Sequence, residues 1–101
     1  MKRAAFHFEA REDIEIAQEY YAGQRYGLDG IFLDEAESSV ARVCENPLLY
    51  AADSRGVRKC PLRRFPFAII YVDFPDHVWI LAIAHLKRRP NFWLSRFRRS
   101  R

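Results

Sequence analysis

Residues 67–72 (FAIIYV) and 77–84 (HVWILAIA) are apolar at almost every position, and only Asp73-Phe74-Pro75-Asp76 separates them. Runs this short and this rich in branched and aromatic residues, joined by a Pro-containing turn, predict two strands of a hairpin. In a strand, successive side chains point to opposite faces. Phe67, Ile69 and Tyr71 therefore alternate with Ala68, Ile70 and Val72. Val78, Ile80 and Ala82 alternate with Trp79, Leu81 and Ile83. Both faces of this hairpin are apolar, so a fold built on it must cover it twice.

The chain upstream supplies one cover. Residues 4–8 (AAFHF) place Phe6 and Phe8 on one side and predict a first strand. From Arg11 to about Gln24 the period lengthens, with Ile14, Ala17 and Tyr21 at helical spacing and Ile16 and Tyr20 widening the stripe. Glu12, Asp13 and Glu15 are placed in the first turn, where they complement the helix dipole. After a break bracketed by Gly23 and Gly27, a second helix is predicted over 28–45. Its apolar face is Leu28, Phe32, Ala36, Val40 and Val43, and Asn46-Pro47 stops it. Residues 57–62 form a third late strand, and Pro61 puts it at a sheet edge. The order is β-α-α-β-β-β. The fold class is α+β, with a helical hairpin packed on one face of a small, mainly antiparallel sheet. Two helices cover only one face. The second is expected to meet a partner, the other option being that residues 92–97 fold back over it. Residues 1–95 are assigned to a single domain and 96–101 (RFRRSR) to a basic tail.

Charge divides along the chain. Residues 1–54 carry 11 acids and 5 bases, net −6; residues 55–101 carry 2 acids and 12 bases, net +10; the sum is the +4 of the whole chain. The basic half is expected to face something negative: nucleic acid, an acidic protein segment, or in part the acidic half of the same chain. Cys44 and Cys60 have no metal-ligand spacing and read as small buried hydrophobes in a reducing cytoplasm. His7, His77 and His85 are dispersed, and no metal or cofactor is expected. No apolar run is long enough to span a membrane, which leads to a soluble, cytoplasmic protein.

The chemistry-bearing residues are cations at strand ends. Arg63 and Arg64 precede the strand at 67. His85, Lys87, Arg88 and Arg89 follow the strand ending at 84. Antiparallel order brings both runs to the end of the sheet opposite the 73–76 turn. Arginine forks suit phosphate or carboxylate, and a histidine among cations is expected to stay neutral, as base or hydrogen-bond donor. The candidate binding residues are Arg58, Arg63, Arg64, Phe67, Trp79, His85, Arg88, Arg89 and Trp93. The candidates for catalysis are Arg63, Arg64, His85 and Arg88. The acids of the two helices are expected to be solvated surface.

Arg64 before Phe65-Pro66-Phe67, the strand from Ile80 to His85, and Arg88 with Pro90 resemble the RelE/ParE superfamily of toxins from type II toxin–antitoxin modules. Asp13-Ile14, Tyr20-Tyr21 and Asn46-Pro47 agree, and the resemblance covers about residues 5–94. It implies a bacterial growth-inhibiting toxin, bound by a cognate antitoxin in a hetero-oligomer through an extended or helical acidic segment. The ending AH-x-x-R-x-P is closer to ParE-like plasmid-stabilisation proteins, which poison DNA gyrase without catalytic residues. The alternative implied is a RelE-like ribosome-dependent mRNA endoribonuclease, in which cations stabilise developing charge. Residues 55–101 hold no obvious glutamate base, which favours the first. A plain nucleic-acid-binding module using the basic C-terminus is a third reading.

Overall fold

The computed structural model describes residues 1–99, with the side chain of Arg99 set aside. Strand β1 (Arg3–Phe6) leads into helix α1 (Phe8–Gln24) and helix α2 (Leu28–Glu45). A 3-10 turn, Pro47–Leu49, follows. Strands β2 (Val57–Pro61), β3 (Phe67–Asp73) and β4 (His77–His85) come next, then a short helix α3 (Leu94–Arg99). The sheet order is β1-β4-β3-β2. β1 runs parallel to β4; the other two pairings are antiparallel. Pro61 lies on an edge strand, where its missing N–H costs no ladder bond.

Strand β1 stops two residues earlier than the alternation of Phe6 and Phe8 implies. His7 becomes the N-cap of α1, its Nδ1 accepting from the Glu9 N–H at 3.1 Å. Helix α1 thereby starts at Phe8, which is exposed, and Glu9 is the acid of its first turn. Between α1 and α2, Gly27 caps α2 at φ +83°, a conformation that a Cβ disfavours.

One sheet face packs the helical hairpin. Phe67, Ile69, Tyr71, Val78, Ile80 and Ile83 meet Ala10, Ala17, Phe32, Ala36 and Val43. Ile83 is here, not Ala82, because β4 carries a bulge. Ile70 pairs with Ala82 and Tyr71 with Ile80, leaving Leu81 as an extra residue. Beyond it the side chains exchange faces, so Leu81, Ala82 and Ala84 lie together on the opposite side.

That opposite side is closed by the chain itself. Trp93 and Phe97 are buried against Val57, Ala68, Ile70, Val72, Leu81, Ala82 and Ala84. The expected partner on this face is replaced by α3, because two aromatic side chains bury enough apolar area, at about 1.5–3 kcal/mol each, to hold a short helix in place. A tail beginning at residue 96 is corrected for the same reason. Arg96 and Phe97 are buried parts of the domain; residues 100–101 of that segment lie outside the described residues.

Two helix acids expected at the surface are buried instead. Asp13 pairs with Arg96, and Glu35 pairs with Arg64. Together with Lys2–Asp73 and Arg96–Glu9, these pairs join the acidic and basic halves of the chain.

Candidate functional site

β1 pairs with β4 only as far as Phe6 opposite Ile80, and the His7 N–H adds one bond to the Ile80 C=O at 2.9 Å. Past that point β4 has no strand on this side. α1 runs alongside, leaving a groove of about 540 Å³ lined by Asp13, Ile16, Ala17, Tyr20 and Tyr21 from α1, with Pro66, Phe67, Ile83, His85 and Arg88 opposite. Ile16 and Tyr20 are 66% and 60% exposed, so the wall of the groove is apolar surface facing solvent.

The near end of this gap is plugged. The Asp13 carboxylate accepts from the Ile83 N–H at 3.0 Å and from Arg96 Nη1 and Nη2 at 2.6 and 3.1 Å. Arg96 Nη1 also donates to the Leu81 C=O at 3.1 Å. An ion pair fills the place that the next residue of β1 would occupy.

At the far end stand His85 and Arg88. The His85 ring packs edge-on against Phe67 with centroids 5.0 Å apart. Its Nδ1 accepts from the Lys87 N–H at 3.0 Å, so the ring proton of the neutral imidazole sits on Nε2. In that tautomer His85 donates from Nε2; a base at Nε2 would have to give up the Lys87 bond. Arg88 lies over the Phe92 ring, 3.8 Å from its centroid. His85 and Arg88 also line a second hollow of about 180 Å³ with Lys59, Arg89, Phe92 and Trp93. The apolar groove thus continues into a cationic one across the same two side chains.

The remaining sequence candidates sit elsewhere. Arg64 donates from its backbone N–H (2.8 Å) and its Nε (3.0 Å) to Glu35. Burial pushes the Glu35 carboxyl up, but the hydrogen bonds from the backbone and side chain of Arg64 and the backbone of Arg63 outweigh it and hold the group below its ordinary value. Arg63 and Arg64 line a cavity with Asp34, Ser38 and Arg42, and His85 is not part of its lining. Arg58 donates to the Tyr50 C=O. Trp79 lies at the other end of β4, near His7 and His77, with its Nε1 buried and without a partner. The structure brings together Phe67, His85, Arg88, Arg89 and Trp93. It does not bring Arg58, Arg63, Arg64 or Trp79 to them.

Asp13, Arg96, Ile16 and Tyr20 were missed as site residues. A signal for Asp13 exists: it falls between Ala10 and Ala17 on the buried stripe of α1, where a carboxylate needs a partner. Both cysteines are free and buried. No helix among the described residues is long and apolar enough to cross a membrane, and none of their side chains cluster as metal ligands.

No family model matches this sequence, and no curated protein matches it. Among solved structures, a chain of the chromosomal ParDE TA system from P. aeruginosa is similar at a TM-score of 0.70 and 18% identity, over 86% of this chain and 98% of that one. The shared architecture is the α+β arrangement of helical hairpin and four-stranded sheet described above.

Proposed function

We propose that this chain is the toxin of a type II toxin–antitoxin module, that it inhibits DNA gyrase in the manner of ParE-like toxins, and that a co-encoded antitoxin holds it inactive. The observation that carries the reading is the fold it shares with a chain of a ParDE system, joined to the family pattern at Arg64-Phe65-Pro66, His85 and Arg88. The arrangement of the cations supports a binding toxin over a nuclease. Arg64 is committed to Glu35, and His85 Nδ1 to a backbone N–H, so four candidate catalytic groups do not converge on one point.

A bacterial host expressing the chain alone should stop dividing, and the purified protein should stop supercoiling by gyrase. Co-expression of the product of the adjoining reading frame should relieve both. The RelE-like reading rests on the hollow lined by Lys59, His85, Arg88 and Arg89. It predicts cut mRNA in arrested cells, and unimpaired supercoiling with cleaved transcripts would replace the gyrase reading with that one.

A further inference from the structure

The turn between β2 and β3 is braced against α2 by one buried carboxylate. Glu35 accepts from the Arg64 N–H at 2.8 Å and from Arg64 Nε at 3.0 Å, and the Arg63 N–H is a third donor to it. These bonds hold Arg63 and Arg64 beside a hollow of about 400 Å³ that Asp34, Ser38 and Arg42 also line. Glu35 takes only the Nε of the Arg64 side chain, so its two Nη groups are left for another acceptor.

Arg42 is held in place from below. Its Nη2 donates to Ser39 Oγ at 3.3 Å and to Cys60 Sγ at 3.8 Å, and both of those residues are fully buried. The Tyr50 hydroxyl is a third neighbour. All three are neutral. Neither Arg42 nor Arg63 makes an ion pair among the described residues. Two guanidinium groups, that of Arg42 partly buried, thus line one hollow without a counter-ion, and each is a planar fork of N–H donors.

A phosphomonoester brings about −1.5 to −2 charges at pH 7 and three acceptor oxygens, and guanidinium forks bind such oxygens in pairs. Ser38 Oγ, which donates to the Asp34 C=O at 2.9 Å, can turn its proton to one of them. Asp34 and Glu37 are exposed on the same helix. They repel the neighbouring phosphates of a polynucleotide, whereas an isolated phosphate brings none. A carboxylate in the hollow accepts from hydroxyl groups instead. The volume falls within the about 300–1,000 Å³ of small-molecule sites, which leaves room for more than a bare ion.

We propose that this hollow binds a sugar phosphate, with the phosphate on Arg42, Arg63 and Arg64 and a sugar hydroxyl donating to Asp34. The site does not depend on the toxin reading.

The test is titration of the full chain with ribose 5-phosphate at physiological salt, by calorimetry and by NMR of the backbone amides. One molecule should bind per chain with a Kd below about 1 mM. The amides of Ser38, Arg63 and Arg64 should shift. Arg42→Gln, and the exposed substitution Arg63→Gln, should each weaken binding about tenfold. Asp34→Asn should lower the affinity for ribose 5-phosphate to that for inorganic phosphate. Amides that do not move, full affinity in both arginine variants, or equal binding of ribose without its phosphate each overturns the proposal. So does inorganic phosphate binding the unaltered chain as tightly as ribose 5-phosphate. Tighter binding of a single-stranded oligonucleotide at these same amides replaces the sugar phosphate with nucleic acid and overturns it as well.

Discussion

Arg96 and Asp13 meet through a notch in the sheet, one reaching from α3 and the other from α1, with the guanidinium donating to both carboxylate oxygens at 2.6 and 3.1 Å. The pair ties the cover of one sheet face to the cover of the other. It also satisfies an N–H and a C=O of β4 that β1 is too short to reach.

Removing one member leaves a charge buried without its counterpart. Arg96→Ala or Asp13→Ala should each destabilise the fold by about 3–5 kcal/mol in urea denaturation. The double substitution Asp13→Leu with Arg96→Met should recover only part of that loss, because the Ile83 N–H and the Leu81 C=O lose their partners with the pair. If the double variant is as unstable as the sum of the singles, the pair is not an interacting unit.

The cover over the second face depends on Trp93 and Phe97. Trp93→Ala should cost about 3–5 kcal/mol. It should also expose the face formed by Ile70, Val72 and Leu81, so that the variant binds a hydrophobic dye and associates at raised concentration. Unchanged sedimentation and dye binding would show that α3 holds without it.

Glu35 makes the stability of the fold depend on pH. Its carboxyl is lowered in the folded chain, so its contribution is fully present above the ordinary value of 4.5 and is lost as pH falls through the folded value. Glu35→Gln should flatten the drop in Tm between pH 5 and pH 3 that the unaltered protein shows, while lowering Tm at pH 7. A parallel downward shift at every pH would assign Glu35 a packing role only.

Two glycines should respond oppositely to the same change. Gly23 lies within α1 with open space around it, and Gly23→Ala should stabilise by about 0.5–1 kcal/mol. Gly27 has equal space but a φ of +83°, and Gly27→Ala should destabilise by about 1–2 kcal/mol. Chemical denaturation of the two variants side by side checks both.

The elements were legible where local pattern decides them. The limits of α2 follow from its apolar stripe and from Asn46-Pro47, and the hairpin of β3 and β4 from FAIIYV, DFPD and HVWILAIA. What was not legible depends on three dimensions. The bulge at Leu81 leaves no mark in a run that is apolar throughout, so the exchange of Ile83 for Ala82 could not be read. Arg96 stands in a string of cations that resembles a tail, and only the position of Asp13 across the sheet turns it inward. At the candidate site, strand order placed Arg63 and Arg64 with His85, Lys87, Arg88 and Arg89, and of these His85, Arg88 and Arg89 line one hollow. Arg64 was separated from them because Glu35 claims it, a contact between residues 29 apart in sequence.

Asp13 and Arg96 are 83 residues apart, so the bond between them waits until long after Asp13 has been synthesised. As the chain leaves the ribosome, the helical hairpin and all four strands emerge before the residues that close the second face. During that interval the nascent protein has a sheet but only one of its two coverings, and synthesis of residues 93–97, slow beside loop closure, sets when the other arrives. Any partner that engages the groove beside Asp13 early enough meets a chain whose two faces are not yet fastened together. Order of emergence, as well as affinity, then decides which surface is available to bind.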